Sequence, residues 1–196
     1  MAFICAEQLD FDPRPQLSYV FVEGFYDWVK HFCKDKNKLV KVFAHIFTLK
    51  YFYVALEGER ITAMTACTQG FAPISLQRDV FTKELGFIRG NFTYFILKRH
   101  MVRNSYPFSL GRTTGTIEFV ATSPDYRGKG IAGGLITFVM EANPYSAYVL
   151  EVADTNVGAV HLYEKLGFKE IRRNKAPKRS GVNFFIYMRK EIEGRA

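Results

Sequence analysis

The stretch Ser123-Pro124-Asp125-Tyr126-Arg127-Gly128-Lys129-Gly130-Ile131-Ala132-Gly133-Gly134 stands between a β-prone run at 116 to 122 (TIEFVAT) and a helix-prone run ending near Ala142. A helix leaves the N–H groups of its first turn without partners inside the helix. Glycines at 128, 130, 133 and 134 let a ligand reach those donors with no Cβ in the way. The positive end of the helix dipole adds to them, so the turn favours a phosphate or pyrophosphate, which Arg127 and Lys129 would reinforce. A plain flexible connection is the bland alternative, but glycines at these positions cost helix stability that such a connection need not lose.

Two nucleotide-binding patterns compete for this turn. A Walker loop would place glycine at 123 and Ser or Thr at 130, where Ser123 and Gly130 stand. Gly128-x-Gly130-x-x-Gly133 matches the Rossmann G-x-G-x-x-G literally, and Glu151 follows about 20 residues on, where a ribose-binding acid belongs. Against that dinucleotide oxidoreductase reading, residues 123 to 127 separate the strand from the first glycine, and the remaining tail is too short for a second mononucleotide half.

Outward from the turn, the strand before it and the helix after it are followed by a second strand (AYVLEVA, 147 to 153) and a second helix (156 to 166). This is a β-α-β-α unit with a parallel strand pair. Two further strands, about 167 to 173 and 182 to 189, close the chain around the polar segment NKAPKRSG. Upstream, Phe21, Phe25, Trp28 and Phe32 recur at helical spacing, as do Leu39, Val42, Phe43 and Ile46, so residues 15 to 49 read as two amphipathic helices with those aromatics in the core. Runs at 51 to 57 and 60 to 68 read as a hairpin turning at Gly58 and Glu59. Residues 75 to 103 return to helical character, with Val80, Phe81, Leu85, Phe92, Phe95 and Ile96 spaced for one buried face.

The chain has 196 residues, 48% of them hydrophobic and 16% aromatic, which excludes disorder and a fibrous repeat and suits a sizeable core. Lys plus Arg (27) exceed Asp plus Glu (19) by 8 charges, which favours an anionic ligand. Cys5, Cys33 and Cys67 lack C-x-x-C spacing, and His31, His45, His100 and His161 are scattered, so neither a disulfide framework nor a metal site is expected. Glu7, Asp10 and Asp12 stand where a signal peptide would carry its apolar core, and no apolar run reaches the roughly 18 residues of a membrane span. The expectation is a cytoplasmic protein.

Two motifs in order carry a resemblance. Arg127-x-x-Gly130-x-Ala132, after Ala121-Thr122-Ser123-Pro124-Asp125-Tyr126, resembles the pyrophosphate turn and preceding strand of the GNAT superfamily of N-acetyltransferases. Asn156-Val157-Gly158-Ala159-Val160-His161-Leu162-Tyr163-Glu164-Lys165-Leu166-Gly167-Phe168 resembles its Asn-x-x-Ala-x-x-Leu-Tyr-x-x-x-Gly-Phe motif. The resemblance covers about residues 113 to 190 and is nearest to the bacterial protein-alanine N-acetyltransferase branch, around Leu150-Glu151-Val152 and Asn156. It implies an α/β (α+β) fold: a mixed, mostly antiparallel sheet whose central parallel pair splays around the cofactor, flanked by helices. It also implies an enzyme that moves an acetyl group from acetyl-CoA to a primary amine of a peptide, amino acid, polyamine or other small molecule. The departure from the family is the helical stretch at about 70 to 112, an insertion in an otherwise single domain, suited to a lid or a dimer contact.

The resemblance assigns roles by position. Main-chain groups of Val120 and Thr122 would hold the pantetheine arm, and main-chain N–H groups of Arg127, Gly128, Lys129, Gly130, Ile131, Ala132 and Gly133 the pyrophosphate. Asn156 would contact the cofactor or simply cap its helix. Tyr163 would donate to the departing thiolate. Reference pKa values of about 10 and 8.5 make full proton transfer uphill by roughly 2 kcal/mol, so a strong hydrogen bond competes with it. Glu151, where the protein-alanine branch carries its catalytic glutamate, ranks above Glu118 as base, and Glu118 is expected to point with Val120 and Thr122. Either could instead be ion-paired. The basic run Arg172, Arg173, Lys175, Lys178, Arg179 reads as a solvated hairpin tip or an entrance for an acidic acceptor. Nucleic acid is disfavoured because no aromatic platform accompanies the charge. A monomer or homodimer is expected, and the competing class is a noncatalytic acyl-CoA-binding regulatory module.

Overall fold

A computed structural model describes residues 1–102, 106–178 and 180–195. Arg179 of the basic run and the end of the expected 75 to 103 helical stretch lie outside the described residues. The strands are β1 (Ala2–Cys5), β2 (Phe52–Glu57), β3 (Arg60–Thr68), β4 (Thr114–Thr122), β5 (Ala147–Ala153), β6 (Lys169–Lys175) and β7 (Phe184–Glu191). They form one sheet in the order β1-β2-β3-β4-β5-β7-β6. Its central pair, β4 and β5, is parallel and the other neighbours are antiparallel. This is the mixed sheet the resemblance implies, and it leaves no place for a doubly wound dinucleotide fold.

Two cores cover the two faces. On one, α1 (Arg14–Val29) and α2 (Lys36–Phe43) bury Leu17, Phe21, Leu39 and Phe43 against Phe52, Met64 and Ala66. On the other, α5 (Ile131–Ala142) and α6 (Val157–Lys165) meet Ile117, Leu150 and Val152 through Ile136, Val139 and Tyr163. Helix α1 approaches β4 closely: a Cβ added to Gly24 would lie 2.7 Å from the Ala121 Cβ. Past Gly24 the helix is interrupted at Phe25 (φ −118°, ψ 19°), and its last turn carries Trp28 outward.

Periodicity overstates the aromatic core. Phe21 is buried, but Trp28 is 58% exposed, its ring set edge-on 6.3 Å from Phe185. The segment between β3 and β4 forms α3 (Arg78–Leu85) and α4 (Phe87–Leu97). Phe81 and Leu85 are buried as expected, whereas α4 packs through Gly90, Thr93 and Leu97 and turns Phe92 and Phe95 to solvent. The physical reason is close helix contact: a Cβ on Gly90 would lie 2.4 Å from the Phe81 carbonyl oxygen, so the small residues of α4 face α3. Among the described residues no helix is long and apolar enough to cross a membrane.

Candidate active site

The site is built by the failure of a strand ladder. The parallel register runs Thr114↔Ala147, Gly115↔Tyr148, Thr116↔Val149 and Ile117↔Leu150, then stops. Beyond Ile117, β4 stays bonded to β3, and beyond Leu150, β5 stays bonded to β7. The facing edges of residues 118 to 122 and 151 to 153 therefore open as a wedge, whose main-chain groups lack a ladder partner.

A bulge starts the divergence. Phe119 and Val120 on β4 stand against Thr65 alone on β3, between the pairs Met64↔Ala121 and Ala66↔Glu118. Phe119 takes φ +55°, a left-handed conformation that costs a non-glycine residue about 1–2 kcal/mol. It is held there by ring contacts with Phe21, Phe25 and Phe52 at 6.1, 6.2 and 5.9 Å. The bulge corrects the expected alternation. Glu118 shares the face of its partner Ala66 with Phe119, while Val120 turns to the α5 side. Glu118 does not point with Val120, because the inserted residue resets the period of two.

At the end of β4 the glycine turn leads into α5. Gly128 (φ +75°) and Gly130 (φ +76°) are left-handed, and a Cβ on either would meet nothing within 4 Å, so glycine serves the backbone angle and leaves the approach open. Gly134 donates to the Gly130 carbonyl at 3.1 Å. Among the described residues, the N–H groups of Gly128, Lys129, Gly130, Ile131, Ala132 and Gly133 have no acceptor. Arg127 differs from the expectation: its N–H donates to Pro124 O at 3.3 Å, so it is not among the free donors. Its guanidinium donates to the carbonyls of Thr122 and Glu23 at 3.2 and 3.1 Å, bracing the turn against β4 and α1. The Lys129 ammonium lies 4.8 Å over the Tyr126 ring. Outward-facing N–H groups, left-handed glycines and an open edge beside them fit a pyrophosphate with an extended arm.

Asn156 caps α6, its Oδ1 accepting from Ala159 N–H at 3.3 Å. About two turns later Tyr163 is buried in the α5–α6 core. Its hydroxyl makes no hydrogen bond to a described residue, and burial raises its pKa well above the ordinary 10. That shift disfavours giving up the proton fully and leaves a free O–H donor.

Both carboxylates lie on the opposite face from Tyr163. Glu151 is paired across the ladder with Tyr187, and the segment leading into β4 lays Tyr106 and Phe108 beside them. Tyr106, Phe108 and Tyr187 contact one another with ring centroids 5.6 to 6.0 Å apart. The Tyr106 hydroxyl donates to Glu118 at 3.5 Å. Burial pushes the Glu118 carboxyl up to about 7, the nearby Glu151 charge adds to the rise, and the Tyr106 hydrogen bond opposes it. Glu151 is accessible to water yet set in a recess, and desolvation there raises its pKa against a hydrogen bond from Tyr187. The ion pairs of the described residues include neither carboxylate.

The structure brings Glu118 and Glu151 together beside Tyr106, Phe108 and Tyr187, three residues that the sequence does not single out because they reach this place only through long-range packing. Of the basic run, Arg173 is held by Glu170 at 2.7 Å and Arg172 by the Pro107 carbonyl at 2.8 Å, so neither is a loose entrance charge.

Comparison with known proteins agrees with this geometry. Over 78 residues the chain is 37% identical to the [Ribosomal protein bS18]-alanine N-acetyltransferase of Escherichia coli strain K12, a stretch covering 37% of this chain and 53% of that protein. The chain thus spans about half the length of the curated relatives it matches. The crystal structure of the Escherichia coli ribosomal-protein-S18-alanine N-acetyltransferase superposes with a TM-score of 0.56 at 14% identity, over 97% of this chain and 93% of that one. A crystal structure described as an acetyltransferase gives 0.60 at 17% identity over 98% and 100%. At these identities the likeness shows the fold. The model of the acetyltransferase (GNAT) family matches residues 22–168, from the middle of α1 through the Leu166-Gly167-Phe168 that follows α6. With most of its length matched and the wedge and turn in place, this chain belongs to the GNAT acetyltransferase family.

Proposed function

We propose that the chain, acting as one unit, transfers an acetyl group from acetyl-CoA directly to a primary amine. The observation that carries this reading is the open edge beyond Ile117 and Leu150, lying beside the unpartnered N–H groups that begin α5. When bound, acetyl-CoA supplies an activated thioester. The N–H groups of residues 128 to 133 hold its pyrophosphate, while main-chain groups of Val120 and Thr122 bond the pantetheine arm as an added strand would. Arg127 holds the turn in shape, and Asn156 fixes the start of α6 so that Tyr163 faces the wedge.

The amine must be neutral to attack. Deprotonating a lysine-like amine at pH 7 costs roughly 4 to 5 kcal/mol, against about 1 for an α-amine. Glu118, with its carboxyl near the working pH, takes that proton. Glu151 keeps Glu118 basic by like-charge repulsion and receives the incoming amine. The amine nitrogen bonds to the acetyl carbonyl carbon, the carbon–sulfur bond breaks, and sulfur leaves with the electron pair. Tyr163 stabilises that charge by a hydrogen bond, because its raised pKa makes complete transfer still less favourable than the reference values suggest.

A thiol-release assay against amine, peptide and polyamine panels tests the reading. Release of CoA that depends on amine supports it. CoA binding with no release for any amine would make the chain a noncatalytic acyl-CoA-binding module instead.

A further inference from the structure

On a chain whose cations outnumber its acids by 8, two carboxylates share the same face of the wedge with no ion-pair partner among the described residues. Rings stand around them. Tyr187 is opposite Glu151 in the register, with Tyr106 and Phe108 against it. Phe185, two residues along β7 and so on the same face, carries the exposed Trp28 over it. Arg172, which faces Tyr187 from β6, would be the natural counter-charge. Its guanidinium donates to Pro107 O at 2.8 Å and Asn174 Oδ1 at 3.0 Å, so it fastens the aromatic strap, and it forms no ion pair with either acid.

We infer that this recess selects acceptors carrying a cationic amine with no carboxylate beside it, and that Phe108, on the strap between α4 and β4, is a specificity-determining residue. The inference rests on the proposed transfer and names its acceptor class. An ammonium gains from two desolvated carboxylates and from ring faces, the combination that holds alkylammonium groups in aromatic cages. A free α-amino acid would bring a third negative charge into the same space, where low polarity magnifies repulsion. Alkyl diamines, polyamines and amidated or peptide-linked α-amines belong to the accepted class, and free amino acids are rejected.

L-Lysine is cadaverine with one carboxylate added, and L-alanine carries a carboxylate where L-alaninamide carries an uncharged carboxamide. In each pair kcat/KM for the carboxylate-free member is expected to be at least about tenfold higher, or 1.4 kcal/mol. Phe108→Leu keeps apolar volume and removes the ring, and should reduce that preference by about three- to tenfold. A readout free of turnover is the shift of tyrosine and phenylalanine ring signals in an NMR titration with cadaverine or lysine. Ring signals that answer cadaverine and ignore lysine, without acetyl transfer, would sustain the recess and overturn the proposed reaction. Transfer to both members of a pair at equal efficiency would overturn the recess and leave the reaction standing. Silence in both experiments would overturn both.

Discussion

Glu118 and Glu151 are the first residues past the last rung of the parallel ladder, directly following Ile117 and Leu150, which are paired. The two acids are therefore brought together where β4 and β5 begin to separate. The charge of Glu151 adds to the rise of the Glu118 pKa.

If Glu118 is the base, that placement sets the pH dependence of the reaction. Glu118 must be ionised to accept a proton, and its carboxyl lies at about 7. The value of kcat/KM should rise with pH through an apparent pKa near 7, coupled to Glu151. Glu118→Gln should flatten this limb and lower the plateau roughly a hundredfold. A pH–rate profile of both proteins checks it.

The same shift costs stability. Glu118 is protonated in both folded and unfolded chains well below its ordinary 4.5 and ionised in both well above 7. In between, the unfolded chain ionises first, so stability falls as pH rises through that window, by roughly 3 kcal/mol at most. Glu118→Gln should raise the Tm relative to wild type at pH 8 and not at pH 4. Thermal melts at the two pH values decide the sign.

Tyr163→Phe removes a hydroxyl that bonds no described residue, so folding stability should change little. If the hydroxyl donates to the departing thiolate, kcat should fall roughly ten- to a hundredfold, the worth of a hydrogen bond to a charged group. Denaturant unfolding beside steady-state kinetics separates the two effects.

Gly24→Ala should destabilise by about 1–3 kcal/mol, because the new methyl would lie 2.7 Å from the Ala121 Cβ where α1 crosses β4. Gly158→Ala, with open space at the new Cβ inside α6, should stabilise by about 0.5–1 kcal/mol. Equilibrium unfolding of the two variants measures the contrast.

The turn and the strands beside it are legible in the sequence because their signals are local. Glycines mark left-handed positions at 128 and 130, and Asn156 marks a cap. The bulge is not legible: no glycine marks the left-handed position in TIEFVAT, and only the packing of Phe119 against α1 and β2 shows where the extra residue sits. Phe92 and Phe95 mislead because helical periodicity identifies a face without saying whether another element covers it. Tyr106 and Tyr187 come from segments far apart in the chain: the register of β5 with β7 sets Tyr187 opposite Glu151, and the segment before β4 lays Tyr106 against it.

The proposed transfer depends on the unpartnered N–H groups at the start of α5 gripping the paired phosphates of CoA. An amide-resolved NMR titration with CoA measures this directly. The amide signals of Gly128 through Gly133 should move together and saturate with binding. Saturating CoA that leaves those signals unmoved would contradict it.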